Sequence, residues 1–255
     1  MLEEHSYSTL FSKPASQEAE VTVCISLYNY QDYIHETLSS VREQTLEILD
    51  LIVVDDRSKD DSLVVAWSWI QQNASRFNQV KLLRHESNGG LARARNTAVS
   101  QVETPNIFIL DADNLLYPKC IERCLEVLEN DPEAAVAYPM IEKFGDQEAV
   151  MGNVVWERSK FTKKNFVDAM ALIRKDALFR AGGYSLMQVV GWEDYELWCK
   201  LIDAGLYGVM VPEILARYRT HGTSMLNSIS NQRRNIKKLH IEMLELHPWL
   251  ELEPL

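Results

Sequence analysis

The chain has 255 residues, of which 46% are hydrophobic and 25% are charged, and these values are typical of one α/β domain with a substantial core. Its formal net charge of −11 argues against nucleic acid as a partner, because phosphate binding requires a basic surface. No apolar run approaches the roughly 18 residues of a membrane span, and residues 1–20 are too polar for a signal peptide. We therefore expect a cytoplasmic protein without a transmembrane segment, whose four cysteines are reduced because they form no Cys-x-x-Cys pair.

Strands and helices are predicted to alternate over the first 130 residues. Residues 1–19 have no periodic pattern, which predicts a loosely held tail. Apolar runs predict strands buried on both faces over residues 21–26, 51–54, 80–83 and 107–110. Helical spacings of apolar residues follow each run, so the pattern predicts parallel β-α-β units and a mostly parallel sheet flanked by helices.

Two carboxylates, Asp111 and Asp113, follow the fourth strand with one residue between them. Ligands of open α/β sheets lie at the carboxyl ends of the strands, where Tyr28, Asp56 and Asn88 are also expected. Like charges at close range disfavour ionisation unless a cation accompanies them, so this pair predicts a divalent metal with a polyanionic ligand. The alternative is that Asp111 starts a turn and Asp113 caps the next helix.

The pattern changes after residue 134 and predicts a smaller mixed region followed by a C-terminal helix. The predicted elements are, in chain order, a strand over residues 135–138, a strand or buried segment over 166–173, a helix over 175–180, a helix over 193–203, strands over 207–211 and 214–219, and a helix over 228–246.

The order of the polar motifs resembles the family 2 glycosyltransferases, which are inverting enzymes with the GT-A nucleotide-sugar fold. The motifs are Tyr28-Asn29, Asp55-Asp56-Arg57-Ser58, Asn88-Gly89-Gly90, Ala94-Arg95-Asn96, Asp111-Ala112-Asp113, Gly191-Trp192-Glu193-Asp194, and Tyr218-Arg219-x-His221 with Ser224-Met225. The resemblance implies a GT-A domain over residues 20–225, with a nucleotide-binding half to residue 114 and an acceptor half from residue 115. Residues 226–255 would be a helical extension.

The resemblance also implies a donor site for a nucleotide sugar, with a UDP-sugar favoured. Asp56 would accept a hydrogen bond from the base, Tyr28 would pack on it, and Asn88 would reach the ribose or diphosphate. The alternative for Asp56 is that it only caps its loop. Arg57 replaces the usual glycine, so this loop must either turn without positive φ or accept strain.

The same resemblance implies a metal site. Asp113 and His221 would hold Mn²⁺ or Mg²⁺ together with diphosphate oxygens, a ligand set that suits these ions. Asp111 would contact the ribose or a metal-bound water. Arg95 would reach the diphosphate, for which a guanidinium is well shaped, or would instead pair with Asp55 or Asp111.

The resemblance also implies that the acidic turn at residues 193–194 carries the catalytic base. Asp194 would take the proton from an acceptor hydroxyl as that oxygen attacks the anomeric carbon, and its position at a helix N-terminus would keep it ionised. Glu193 would orient acceptor hydroxyls, and Trp192 would give a sugar ring an apolar platform. The alternative is that the acidic turn only matches the helix dipole.

Four basic residues, Arg233, Arg234, Lys237 and Lys238, lie on the last predicted helix. They would contact an anionic membrane surface, at the inner face of the membrane, or a lipid-diphosphate acceptor. The alternatives are a solvated face or a contact in a homo-oligomer.

The predicted function is a metal-dependent inverting glycosyltransferase that acts on a saccharide or glycolipid acceptor in polysaccharide or glycolipid synthesis. Three alternatives remain: a catalytically inactive nucleotide-sugar-binding module, a retaining transferase of similar fold, and a sugar nucleotidyltransferase. The nucleotidyltransferase is disfavoured because Leu27-Tyr28-Asn29-Tyr30 stands where a glycine-rich phosphate loop is expected.

Overall fold

The computed structural model describes residues 5–222 and 232–252. The strands are β1 (Tyr7–Lys13), β2 (Val21–Leu27), β3 (Asp50–Asp55), β4 (Val80–His85), β5 (Asn106–Asp111), β6 (Leu115–Leu116), β7 (Val136–Gly145), β8 (Ala149–Met151), β9 (Leu172–Arg174) and β10 (Gly208–Thr220). The helices are α1 (Ile34–Arg42), α2 (Ser62–Asn73), α3 (Leu91–Ser100), α4 (Cys120–Asn130), α5 (Arg158–Phe161), α6 (Lys175–Arg180), α7 (Glu193–Asp203) and α8 (Arg233–Leu246).

The strands of the described residues form one sheet in the order β1-β4-β3-β2-β5-β9-β7-β10-β6, with β8 beside β7. β2 pairs in parallel with β3 and β5, and β3 pairs in parallel with β4, which confirms the predicted parallel half. The sheet has a hydrophobic core on each face, and alternate residues of a strand pack into different cores. In β2, Val23 and Ile25 pack in the core with α1, α2 and α4, whereas Cys24 packs in the core with α3, α6 and α7. Burial on both faces explains the unbroken apolar runs.

The second half of the sheet is mixed. β9 pairs antiparallel with β5 and β7, β10 pairs in parallel with β7, and β6 pairs antiparallel with β10. The two strands predicted over residues 207–211 and 214–219 are one strand, because β10 continues through two register shifts. Of the segment predicted over residues 166–173, only its end is a strand.

The prediction of a loosely held N-terminal tail is wrong for residues 7–13. β1 pairs antiparallel with β4, from Tyr7 opposite His85 to Lys13 opposite Val80. The apolar pattern missed this strand because most of its side chains are exposed or half-buried, as is usual at the edge of a sheet. Lys13 Nζ also donates to the backbone oxygen of Asn78 at 2.9 Å.

The predicted C-terminal helix is present as α8. Leu239 and Met243 are its buried residues, and Met243 packs in the core that contains α7. Residues 224 and 225 of the last motif, and the first residues of the predicted helix, lie outside the described ranges. No helix within those ranges is both long enough and apolar enough to cross a membrane.

Candidate active site

β5 brings Asp111 to the carboxyl end of the sheet, in register with Ser26 of β2. Oδ1 of Asp111 accepts a hydrogen bond from Nη2 of Arg95 at 2.7 Å. Arg95 lies in α3, is only 3% exposed, and its guanidinium stands 5.1 Å from the ring centre of Tyr184. The structure therefore shows Arg95 paired with Asp111, which was the alternative to a direct phosphate contact.

Several carboxyl groups surround this buried guanidinium. Burial disfavours the charge of Arg95, but Asp111, Glu193 and Asp194 outweigh that effect and raise its pKa. Asp168, from the segment before β9, belongs to the same group: burial first, and then the charges of Asp111 and Asp194, raise its pKa to about 7. The buried guanidinium of Arg95 thus interacts with four carboxyl groups, which together carry more acid than one guanidinium can neutralise.

Asp194 is the second residue of α7, in the acidic first turn as predicted, and its carboxylate is held at both oxygens. Oδ1 accepts the backbone N–H of Tyr195 at 2.8 Å, and Oδ2 accepts Nδ2 of Asn165 at 2.9 Å. Burial raises the pKa of Asp194, while Arg95 and the N–H of Tyr195 oppose that shift. Burial thus disfavours the ionised form of Asp194, and Arg95 and the N–H of Tyr195 at the helix start favour it.

The neighbours of Asp194 are turned into the protein. Glu193 is 4% exposed, and its Oε1 accepts the backbone N–H of Gly191 at 2.9 Å. This geometry favours a role in holding the turn over the predicted contact with an acceptor. Trp192 adopts φ of +65° at the helix start, and its half-buried ring packs 5.2 Å from the ring of His240 in α8.

Asp113 and His221 meet at the end of β10. Nε2 of His221 lies 3.1 Å from Oδ2 of Asp113, and the imidazole packs against the rings of Tyr30 and Tyr33. Burial and then Asp111 raise the pKa of Asp113, whereas His221 lowers it. Asp113 does not cap the next helix, because α4 begins only at residue 120.

A carboxylate and an imidazole at this separation fit a divalent cation that also binds substrate oxygens. Within the described ranges, no three His, Cys, Asp or Glu side chains are grouped as a protein-only metal site would require. An ion held by Asp113 and His221 would therefore take its other ligands from a substrate or from water.

Tyr218 of β10 shows that the two carboxylate groups share one site. Burial raises its pKa most, and the charges of Asp168, Asp111, Asp113 and Asp194 raise it further. These four acids are therefore all close to one phenol. The structure brings together the residues predicted as base, as metal ligand and as ribose contact.

Asp56 lies in a neighbouring loop and is 3% exposed. Its Oδ1 accepts from Nδ1 of His85 and the N–H of Gly89, both at 2.7 Å. Its Oδ2 accepts from Nδ2 of Asn88 at 2.9 Å and from the N–H of Gly90 at 2.8 Å. Because a carboxylate has about four acceptor sites, these bonds leave little capacity for a nucleobase. The geometry favours the loop-capping alternative, in which Asp56 orders residues 88–90.

The loops after β2 and β3 are joined to each other beside this site. The N–H of Asn29 donates to Oγ of Ser58 at 3.1 Å, and the N–H of Lys59 donates to Oδ1 of Asn29 at 2.8 Å. Arg57 adopts φ of +64°, so the loop accepts the positive φ that its usual glycine would take without strain. Tyr28 is half-buried at the start of the first of these loops.

Sequence analysis missed Asp168, Asn165 and His85. Asp168 had a visible signal, because it is the one acid within an otherwise apolar run over residues 166–173. His85 had none: it is fully buried, and its Nε2 lies 2.9 Å from Oγ1 of Thr97.

A family model described as "Glycosyl transferase family 2" matches residues 22–191, which is well over half of the chain. The protein belongs to this family. The glycosyltransferase is 25% identical over 215 residues to the amylovoran biosynthesis glycosyltransferase AmsE of Erwinia amylovora, with 81% of this chain and 78% of the relative covered. It is therefore a transferase enzyme.

Solved structures share its fold. Staphylococcus aureus TarS in complex with UDP-GlcNAc matches with a TM-score of 0.71 at 17% identity, over 92% of this chain and 68% of that one. The mannosyltransferase PcManGT of Pyrobaculum calidifontis, in complex with GDP-Man and Mn²⁺, matches with a TM-score of 0.64 at 22% identity, over 81% of this chain and 59% of that one. The predicted GT-A fold is confirmed.

Proposed function

We propose that this glycosyltransferase is a metal-dependent, inverting enzyme that moves a sugar from a UDP-sugar to an acceptor hydroxyl. The observation that carries the proposal is that Asp113, which contacts His221, and Asp194, near the start of α7, are both close enough to Tyr218 to raise its pKa. A leaving diphosphate and a hydroxyl that must lose a proton need these two functions side by side.

Asp194 is the general base of this proposal. It takes the proton of the acceptor hydroxyl while that oxygen attacks from the face opposite the diphosphate, so configuration inverts in one displacement. Asn165 and the backbone of Tyr195 fix the carboxylate, and Arg95 favours its ionised form. Asp168 is close to the base, because the charge of Asp194 raises the pKa of Asp168.

Asp113 and His221 would hold Mn²⁺ or Mg²⁺. When bound, either ion supplies Lewis-acid stabilisation of the departing diphosphate. Support comes from their separation of 3.1 Å and from a structural neighbour whose complex contains Mn²⁺.

The donor site is assigned to residues 20–114 and the acceptor site to residues 115–225. Tyr28 would stack on the base, Asp111 would contact the ribose, and Asn88 would contact the ribose or diphosphate from the loop that Asp56 orders. A uridine nucleotide is favoured because TarS, the neighbour with the higher TM-score of the two, is in complex with UDP-GlcNAc.

The proposed acceptor is a saccharide or glycolipid, in polysaccharide or glycolipid synthesis. The relative named for amylovoran biosynthesis supports this pathway class. We also propose that the enzyme works in the cytoplasm, since its four cysteines are buried and free, as is usual in a reducing compartment.

Calorimetric titration of UDP, and then of GDP, with and without Mn²⁺, tests the donor site. We expect UDP to bind only when Mn²⁺ is present, and GDP to bind more weakly. UDP-sugars should then be screened for transfer. If UDP binds but no UDP-sugar is transferred or hydrolysed, the chain is a binding module. Failure of both nucleotides to bind would contradict the donor site itself.

A further inference from the structure

The outer face of α8 carries a concentrated positive charge. Arg233, Arg234, Lys237 and Lys238 are all exposed, and none of the four forms an ion pair with another described residue. This is unusual for a chain whose formal net charge is −11. The nearby acid Glu242 forms no ion pair with the cluster, and its carboxylate instead accepts the backbone N–H of Gln188 at 3.0 Å.

The same face continues into exposed aliphatic residues. Ile241 is 50% exposed and Leu244 is 37% exposed. At about 100° per residue, these two and the four basic residues fall within an arc of about 140°. Glu245 also lies in this arc, whereas the buried Leu239 and Met243 lie on the opposite side.

We propose that this outer face of α8 docks on an anionic lipid surface. Basic side chains attract anionic head groups, and aliphatic side chains on the same face enter the boundary between head groups and acyl chains. Both chemistries are present on one face, and the basic residues occupy its first two turns. The rest of the protein carries net negative charge and would be repelled by the anionic lipid, so the contact also sets the orientation of the protein.

That orientation concerns the acceptor side of the site. α8 contacts the turn before Asp194 through His240 and Trp192, whose rings are 5.2 Å apart. Docking through α8 therefore holds the turn that carries the base close to the lipid. Resting on the proposed function, this would favour an acceptor that is itself a glycolipid.

The test is cosedimentation of the full chain with vesicles of phosphatidylcholine, with and without phosphatidylglycerol. We expect binding only when phosphatidylglycerol is present, and weaker binding as NaCl is added. Lys237→Gln with Lys238→Gln should weaken partitioning about 30-fold, since each basic residue near such a surface contributes about fivefold. Ile241→Gln should also weaken it without changing the charge.

The matched control is Lys119→Gln with Arg180→Gln, which removes the same charge from exposed positions outside α8. Unchanged partitioning of this control supports the proposal, and an equal loss would overturn it. Equal binding to both vesicle types, or to neither, would also overturn it. Self-association seen by light scattering and abolished by the α8 pair would mean that a second copy covers the face instead. No nucleotide enters these measurements, so their failure is distinct from failure of UDP to bind.

Discussion

Nε2 of His221 lies 3.1 Å from Oδ2 of Asp113, although 108 residues separate the two in the chain. The contact exists because β10 ends beside the turn that follows β5. It couples the last motif of the sequence to the Asp-x-Asp motif, and it is the basis of the proposed metal site.

Replacing either member of this pair should weaken metal-dependent nucleotide binding. We expect Asp113→Asn and His221→Gln each to reduce UDP affinity in Mn²⁺ by at least roughly 10–100-fold, which is the loss caused by removing a residue that only orients a metal ligand. Calorimetry over a range of Mn²⁺ concentrations measures this. The control is Asp131→Asn, at an aspartate whose Oδ1 binds Oη of Tyr207 instead. Unaltered UDP affinity in Asp113→Asn would refute the metal assignment.

Asp194→Asn should separate catalysis from donor binding. We expect transfer to slow by roughly 10²–10⁴-fold while UDP affinity is unchanged, because the amide keeps the hydrogen bond to Tyr195 but cannot accept a proton. Asp176→Asn is a close control, since Oδ1 of Asp176 caps the N–H of Ala177 at 2.8 Å at the start of another helix. Equal transfer rates in the wild type and Asp194→Asn would rule out this base.

Removing the buried cation should shift the pH dependence of transfer. Arg95 lowers the pKa of Asp194, and a general base must be unprotonated to act. Arg95→Met should therefore raise this pKa and move the acidic limb of the pH–rate profile to higher pH. Arg95→Lys, which keeps the charge, should shift the limb less. A limb that stays in place in a folded Arg95→Met variant would argue against electrostatic support of the base.

The contact between Thr97 and His85 should contribute to stability. Thr97→Val keeps the shape of the side chain but leaves Nε2 of the buried His85 without its 2.9 Å partner. We expect the free energy of unfolding to fall by about 1–3 kcal/mol, measured by urea denaturation. Thr9→Val, at an exposed position in β1, should change it by less than about 0.5 kcal/mol. Similar losses in both variants would contradict a specific role for the hydroxyl.

His247 should make stability fall as pH rises. Its Nδ1 lies 2.7 Å from Oδ2 of Asp203, and its Nε2 lies 3.7 Å from Oε1 of Glu196. Burial alone would lower the pKa of His247, but these two acids raise it above its ordinary value.

A raised pKa in the folded state means that the stabilisation is complete below the unfolded pKa of about 6.5 and is lost as pH rises through the folded pKa. Urea denaturation at a series of pH values should show the wild type losing its advantage over His247→Gln as pH increases. An advantage that grows with pH would show that the histidine is stabilising in its neutral form.

The sequence predicted the parallel half of the sheet because strands buried on both faces have unbroken apolar runs. It failed for β1, whose residues face water on one side and leave no such run. The position of Asp55-Asp56 and Asp111 at one edge could be anticipated, since chain topology brings the ends of parallel strands together. The position of Asp194 near Asp111 followed only from the family resemblance. The partner of Arg95 could not be anticipated, because the choice between Asp55 and Asp111 depends on where α3 lies. In the structure, Arg84 pairs with Asp55 at 3.2 Å, and Arg95 takes Asp111.

The different roles of Glu193 and Asp194 in the acidic turn could not be predicted from the sequence either. Glu193 and Asp194 differ by only about 100° around the helix, and either could have faced the other carboxylates of the site. The left-handed backbone of Trp192 directs the chain so that Glu193 caps its own turn. A periodic pattern contains no information about such a single positive φ.

The ends of the sheet limit how copies of this protein can meet. One terminal strand, β6, has only two residues, and the other, β1, is interrupted by a register shift between Thr9 and Phe11. The residue skipped at this bulge, Leu10, packs on the core instead of continuing the ladder. A strand from another molecule would therefore find no long, regular backbone edge to extend on β1 or on β6. Neither of these two strands favours association through backbone pairing.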